Sequence, residues 1–146
     1  MTLVELIVAF SIMLILSVMA IPLAKVRVRT HRELDLKYAL RQMRNAIDKY
    51  KDSCDAGMFG AIKQGTFCYP ESLEILVEGV QVQGVEGKKV KFLRSVPRDP
   101  FTNSKDWGLR SMQDDSKSLT WGGENVFNVY SKTRDVAPDG RPYAEW

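Results

Sequence analysis

Glu5 is the only charged side chain among the first twenty-four residues, and the run from Leu6 to Ala24 behind it carries no charge. A carboxylate against apolar surface does electrostatic rather than covalent chemistry. It costs ~2.5–3.5 kcal/mol at mid-bilayer and less near an edge, until a cation meets it. The obvious cation is an α-amino group at Met1, with an ordinary pKa of ~7.7–8.0. Within one helix Met1 and Glu5 stand one turn apart and can pair internally. Between copies, the amine of an incoming chain can neutralise Glu5 of its neighbour. A copy docked in the wrong axial register then leaves a charge unpaired, at a cost of roughly 3–5 kcal/mol. The sequence leaves both arrangements open.

No other set of residues points to catalysis. There is no glycine-rich phosphate loop, no CxxC pair, and no His–Cys or His–Asp constellation at a useful spacing. His31, the only histidine, lies among basic residues without a second ligand nearby. Asp114-Asp115 reads as a solvated pair in a polar turn, and the 14 aromatic residues fall mostly at core or strand spacing rather than as an electron path. The chain reads as a non-enzyme, with a membrane-anchored enzyme or a monomeric binding module as the remote alternatives.

The elements that would position Glu5 begin with the uncharged run itself. At ~1.5 Å per helical residue it spans roughly 28 Å, about one bilayer core. Proline at position 22 removes a donor and crowds the preceding turn, so a break or kink is expected around Val18 to Pro22. A cleaved secretory signal fits poorly, because the basic flank is missing and the run exceeds the usual ~7–15 residues. Thr2-Leu3-Val4-Glu5-Leu6, the apolar run and Pro22 together resemble the mature N-terminus of type IV pilins and of the pseudopilins of type II secretion systems. In that family a prepilin peptidase removes a basic leader and the new N-terminus is N-methylated; Met1 is accordingly read as the mature first residue.

The resemblance implies a helical homopolymer built through the N-terminal helices. It also implies an assembly ATPase, an inner-membrane platform protein and minor pilins or pseudopilins as partners. The monomer is expected in the inner membrane with its head in the periplasm, and the assembled filament in the periplasm or outside the cell. Lys25, Arg27, Arg29 and Arg32 would by the positive-inside count hold the C-terminal part in the cytoplasm. The family's leader supplies the opposing basic charge, so the family orientation is preferred.

Charge and periodicity divide the rest. Residues 25–51 hold nine basic against three acidic side chains, and residues 52–146 twelve against fourteen. The basicity belongs to a stem, which can face anionic headgroups, acidic residues of neighbouring copies, or water. Leu36, Leu40, Met43, Ile47 and Tyr50 make one apolar stripe at helical spacing, broadened by Leu34 and Tyr38, with Arg41, Arg44, Asp48, Lys49 and Lys51 opposite. No glycine or proline falls between Leu23 and Ser53. The expected domains are an apolar assembly helix over 1–24, a helical stem over 25–52 and an α+β head over 53–146.

In the head, Cys54 and Cys68 bracket one loop. In an exported domain two such cysteines favour a disulfide, worth ~3 kcal/mol for a loop of about 15 residues; two buried thiols are the alternative. Tyr69–Val77 reads as a short helix stopped by Gly79. Val90–Val96, Trp107–Met112 and Val126–Ser131 read as strands of one small antiparallel sheet, with a turn at Pro97-Arg98-Asp99-Pro100. Trp107, Leu109, Phe127, Val129 and Tyr130 would supply the sheet side of the core. This order also resembles the major pseudopilins, which often carry a calcium loop after the last strand. Here that stretch holds Asp135, Asp139 and Glu145, but Arg134 and Arg141 oppose a cation and Pro138-Asp139-Gly140 reads equally as a plain turn. The resemblance thus implies the major subunit of a secretion pseudopilus, with a surface pilus for adhesion, twitching or DNA uptake as the alternative.

Overall fold

The computed structural model describes residues 2–18 and 24–146 and is α+β. Helix α1 (Leu3–Asp55) is followed by a short helix α2 (Leu73–Glu78) and four short strands: β1 (Val80–Gln81), β2 (Lys89–Val90), β3 (Gly108–Arg110) and β4 (Asn128–Tyr130). A 3-10 turn, Tyr143–Glu145, comes last. The chain divides into two compact units, Met1–Asp35 and Leu36–Trp146. That division falls inside the stretch expected as a stem. The kink expected at Pro22 lies outside the described residues.

The first unit is helix. Thr2 and Glu5 open it as a capping box: the Thr2 N–H donates to Glu5 Oε2 and the Glu5 N–H to Thr2 Oγ1, both at 3.4 Å. Each end of the pair satisfies a donor that the first helical turn would otherwise strand. Further along, the hydroxyls of Ser11, Ser17 and Thr30 donate to the carbonyls of Ile7, Met13 and Val26 at 2.7, 2.8 and 3.0 Å. Their polarity is consumed inside the helix.

In the second unit the same helix becomes one wall of the core. Leu36, Ala39, Leu40, Met43, Ala46 and Ile47 are buried, the i, i+3, i+4, i+7 pattern of a helix covered on one face. They pack with Leu73 and Leu76 of α2, Leu93, Trp107, Val126, Val129, Ala137 and Tyr143. The stripe is narrower than its apolar residues implied: Leu34 and Tyr38 are exposed, because at 3.6 residues per turn they fall on the side of the helix away from the covered face.

The strands form two separate antiparallel ribbons rather than one sheet. In one, Val80 pairs with Val90; in the other, Gly108, Leu109 and Arg110 pair with Tyr130, Val129 and Asn128. The strand expected over Val90–Val96 stops at Val90, since the N–H groups of Phe92 and Leu93 both turn to the Leu76 carbonyl at 2.9 Å. Side chains end the second ribbon. Ser111 Oγ donates to the Asn125 carbonyl at 3.0 Å and Asn125 Oδ1 accepts from the Met112 N–H at 3.0 Å, in place of further ladder bonds.

The second helix begins four residues later than Tyr69, because Tyr69-Pro70-Glu71-Ser72 is extended or turned and the Pro70 carbonyl accepts from Val126 N–H at 2.7 Å. Gly79 stops it as expected, at φ +86°, where a side chain would also meet the Val90 carbonyl at 2.9 Å. Phe127 is exposed and stacks edge-on against Tyr69, leaving Val126 as the core residue.

The turn expected at Pro97–Pro100 is organised by Asp99, which is fully buried. Its carboxylate accepts from Phe101 N–H at 2.8 Å and from the Ser131 hydroxyl at 2.5 Å. Gly108 lies under the Tyr130 ring, so tightly that a Cβ there would sit 2.2 Å from a ring carbon. Gly108→Ala is therefore expected to destabilise the head by about 1–3 kcal/mol or more. A fall in urea midpoint at constant slope checks it; an unchanged midpoint would mean the ring shifts freely.

Candidate assembly site

The site residues expected at the start of the chain are only in part described. Met1 lies outside the described residues, so its pairing with Glu5 has no geometry here. Glu5 caps its own helix through Thr2, a role that its charge obscures but that the spacing Thr2-x-x-Glu5 carries openly.

Behind Glu5, every described side chain from Leu3 to Val18 is exposed. Apolar side chains point to all sides of the helix, with Leu3 74%, Phe10 63% and Val18 66% accessible. A helix apolar all round has to be covered by lipid or protein. Among the described residues no helix is long and apolar enough to cross a membrane. The uncharged run Leu6–Ala24 includes residues 19–23, which lie outside them.

Cys54 and Cys68 form a disulfide, with Cα atoms 5.6 Å apart. The bond ties the last turn of α1 to the loop ahead of α2. Phe67 and Cys68 adopt φ of +52° and +65°, a left-handed backbone that costs residues with a Cβ on the order of 1–3 kcal/mol and persists where its surroundings dictate it. The Thr66 hydroxyl anchors the loop on the Lys63 carbonyl at 2.9 Å.

Of the calcium candidates Asp135 and Asp139, the second is engaged by an arginine. Asp139 accepts from Arg141 Nε at 2.8 Å and from the Arg141 N–H at 3.0 Å, and these backbone and side-chain bonds hold its carboxyl below the ordinary aspartate value. Among the described residues no group of three or more His, Cys, Asp or Glu side chains gathers to hold a metal.

Asp114 of the Asp114-Asp115 pair is a structural acceptor rather than a solvated loop residue. It takes the Ser111 N–H at 2.7 Å and the Gly122 N–H at 3.1 Å, joining two turns, and these backbone bonds lower its pKa.

Two arginines complete the head. Arg44, expected on the solvated face, is half-buried: Nε donates to Asn128 Oδ1 at 2.8 Å and Nη2 to the carbonyls of Val129 and Trp146 at 3.1 and 2.5 Å. Burial, then the charge of Arg110, lowers its pKa, a cost that the three hydrogen bonds offset. The signal was in the sequence: Leu40, Met43, Arg44 and Ile47 are i, i+3, i+4 and i+7. Arg110 lies 4.2 Å over the Tyr130 ring and donates to the Ser118 and Ala144 carbonyls at 2.7 and 3.2 Å.

Arg44→Ala removes three donated hydrogen bonds, although Asn128 Oδ1 keeps the Val129 N–H, and is expected to cost about 3 kcal/mol; a loss below about 0.5 kcal/mol in denaturant unfolding would remove it from the framework. Asp114→Asn should lower the melting temperature at neutral pH. A lowered folded pKa contributes stability above the ordinary value of 3.8, lost as pH falls through the folded value. The gap between variant and parent should therefore close on acidification, and a gap that stays constant to low pH would refute the charge contribution.

No family model, curated protein or solved structure matches this chain.

Proposed function

We propose that the chain is a structural subunit of a helical, type IV pilin-like filament, serving as the major pseudopilin of a type II secretion-like system. The observation that carries this is the pairing of Glu5 with an apolar helix uncovered on every side from Leu3 to Val18. A surface of that kind suits a helix surrounded by copies of itself, and one carboxylate at its start suits a register mark.

Before assembly the helix would rest in the inner membrane with the head in the periplasm. The internally bonded hydroxyls of Ser11 and Ser17 support this, since lipid offers them no other partner. Assembly would then move the helix from lipid into a filament core. Lipid tails are as apolar as leucine, so hydrophobic burial alone does not drive the step; packing, the Glu5 pair and a separate assembly ATPase must. In the proposed filament the amine at Met1 of each incoming copy neutralises Glu5 of its neighbour. A prepilin peptidase and an inner-membrane platform protein are the further partners proposed.

Glutamine tests this against the cap. Gln serves at the third position of a capping box as Glu does, but carries no charge. If Glu5 pairs across copies, Glu5→Gln should assemble as poorly as Glu5→Ala, roughly tenfold or more below the parent, given the several kcal/mol of an unpaired buried charge. Electron microscopy and cell-fraction blots of the native host, with a deletion strain beside it, read the yield. Normal filaments from Glu5→Gln would leave Glu5 as a helix cap only. Loss of exported protein without loss of surface filaments marks a pseudopilus; loss of long surface filaments marks a pilus.

A further inference from the structure

The head carries a groove of about 480 Å³ between the outer face of α1 and residues 92–94. Its floor includes Phe92 and Leu93, its walls carry Arg41, Lys49 and Arg94, and Tyr38 stands on the rim at 69% exposure. No acidic side chain lines it. Among the described residues none of the three cations is in an ion pair. Like charges gathered over an apolar floor raise each other's cost, and an anionic partner relieves it.

The same head presents the complement elsewhere. Glu71, Glu74 and Glu78 are exposed, and Glu74 and Glu78, four residues apart, lie on one side of α2. Glu74 and Glu78 are in no ion pair among the described residues, while Glu71 meets Lys63 at 3.4 Å. Arg41 and Lys49 are separated by roughly 12 Å along the helix, and Glu74 and Glu78 by roughly 6 Å, so two glutamates fit within the span of the cations. Both faces stay open within one chain.

We propose that the groove receives the acidic face of α2 from a second copy, with Glu74 and Glu78 between Arg41, Lys49 and Arg94. Because groove and helix are different patches, the contact is heterologous and repeats from copy to copy. It presupposes the filament proposed above and names the head-to-head contact within it. Rim charges of this kind steer and select the partner more than they hold it, which suits subunits that must find one register.

Photo-crosslinking of the full-length chain in its native host tests the contact, with Tyr38→p-benzoylphenylalanine as the probe at an exposed position. The expected product is a chain–chain adduct whose linked peptide includes residues 71–78. Arg41→Glu with Lys49→Glu should lower that adduct about tenfold, and adding Glu74→Lys with Glu78→Lys should restore it, as expected when several rim charges turn from attractive to repulsive and back. Adducts confined to phospholipid, nucleic acid or another protein overturn the proposal, as does a chain–chain adduct through any other segment or a failure of the fourfold variant to recover. If the reversed chains do not accumulate, the linked peptide of the otherwise unaltered chain decides. Filaments without the 71–78 adduct sink this contact and keep the filament; the adduct in cells without filaments does the reverse.

Discussion

Helix α1 carries more apolar surface than the chain has means to cover. From Leu36 to Ile47 the head covers one face and leaves the rest polar, the ordinary arrangement of a surface helix. From Leu3 to Val18 the described side chains are exposed on every side. Fully burying one side chain such as leucine or phenylalanine is worth about 1.5–3 kcal/mol, so the uncovered stretch represents a free energy well above the stability of a typical domain. Whatever surrounds that helix therefore weighs more in the energetics of the chain than the packing of the head.

That division explains which parts of the fold are legible directly. The stripe Leu36, Leu40, Met43, Ile47 follows from spacing alone, and Gly79 as a helix stop follows from the conformational freedom glycine has at positive φ. Cys54 and Cys68 pair by count and context. What spacing does not reveal depends on side chains that replace backbone partners. Asn125 and Ser111 end a ribbon early, Asp99 builds a buried turn, and Arg44 closes three acceptors across more than eighty residues of sequence. Such contacts are long-range and leave no periodicity. The strand expected past Val90 fails for a related reason, since Leu76, at the other end of a connection, offers the nearer acceptor.

At the start of α1, Glu5 fills one role in its own chain and would fill a second in the filament proposed above. As a cap, Glu5 stabilises the first helical turn within its own chain, an effect of about 1 kcal/mol. As a charge beside a long apolar surface, it carries a penalty several times larger once that surface is enclosed. In the filament proposed above the charge penalty would govern association, whereas the cap is what the chain itself displays. The two roles differ in what they ask of the side chain: shape for the first, charge for the second.

The Cys54–Cys68 bond has a mechanical side. Tension applied along α1 arrives at Cys54, where the covalent link passes it straight to Cys68 and on toward α2. The intervening residues, with Met58, Ile62 and Phe67 at the surface, lie off the load path. They are held instead by contacts of their own: Phe59 packs on Tyr50 and Phe92, and the Gly65 carbonyl accepts from Gln113 and Asn125, so the loop is fixed to the head by a route that the pull does not load.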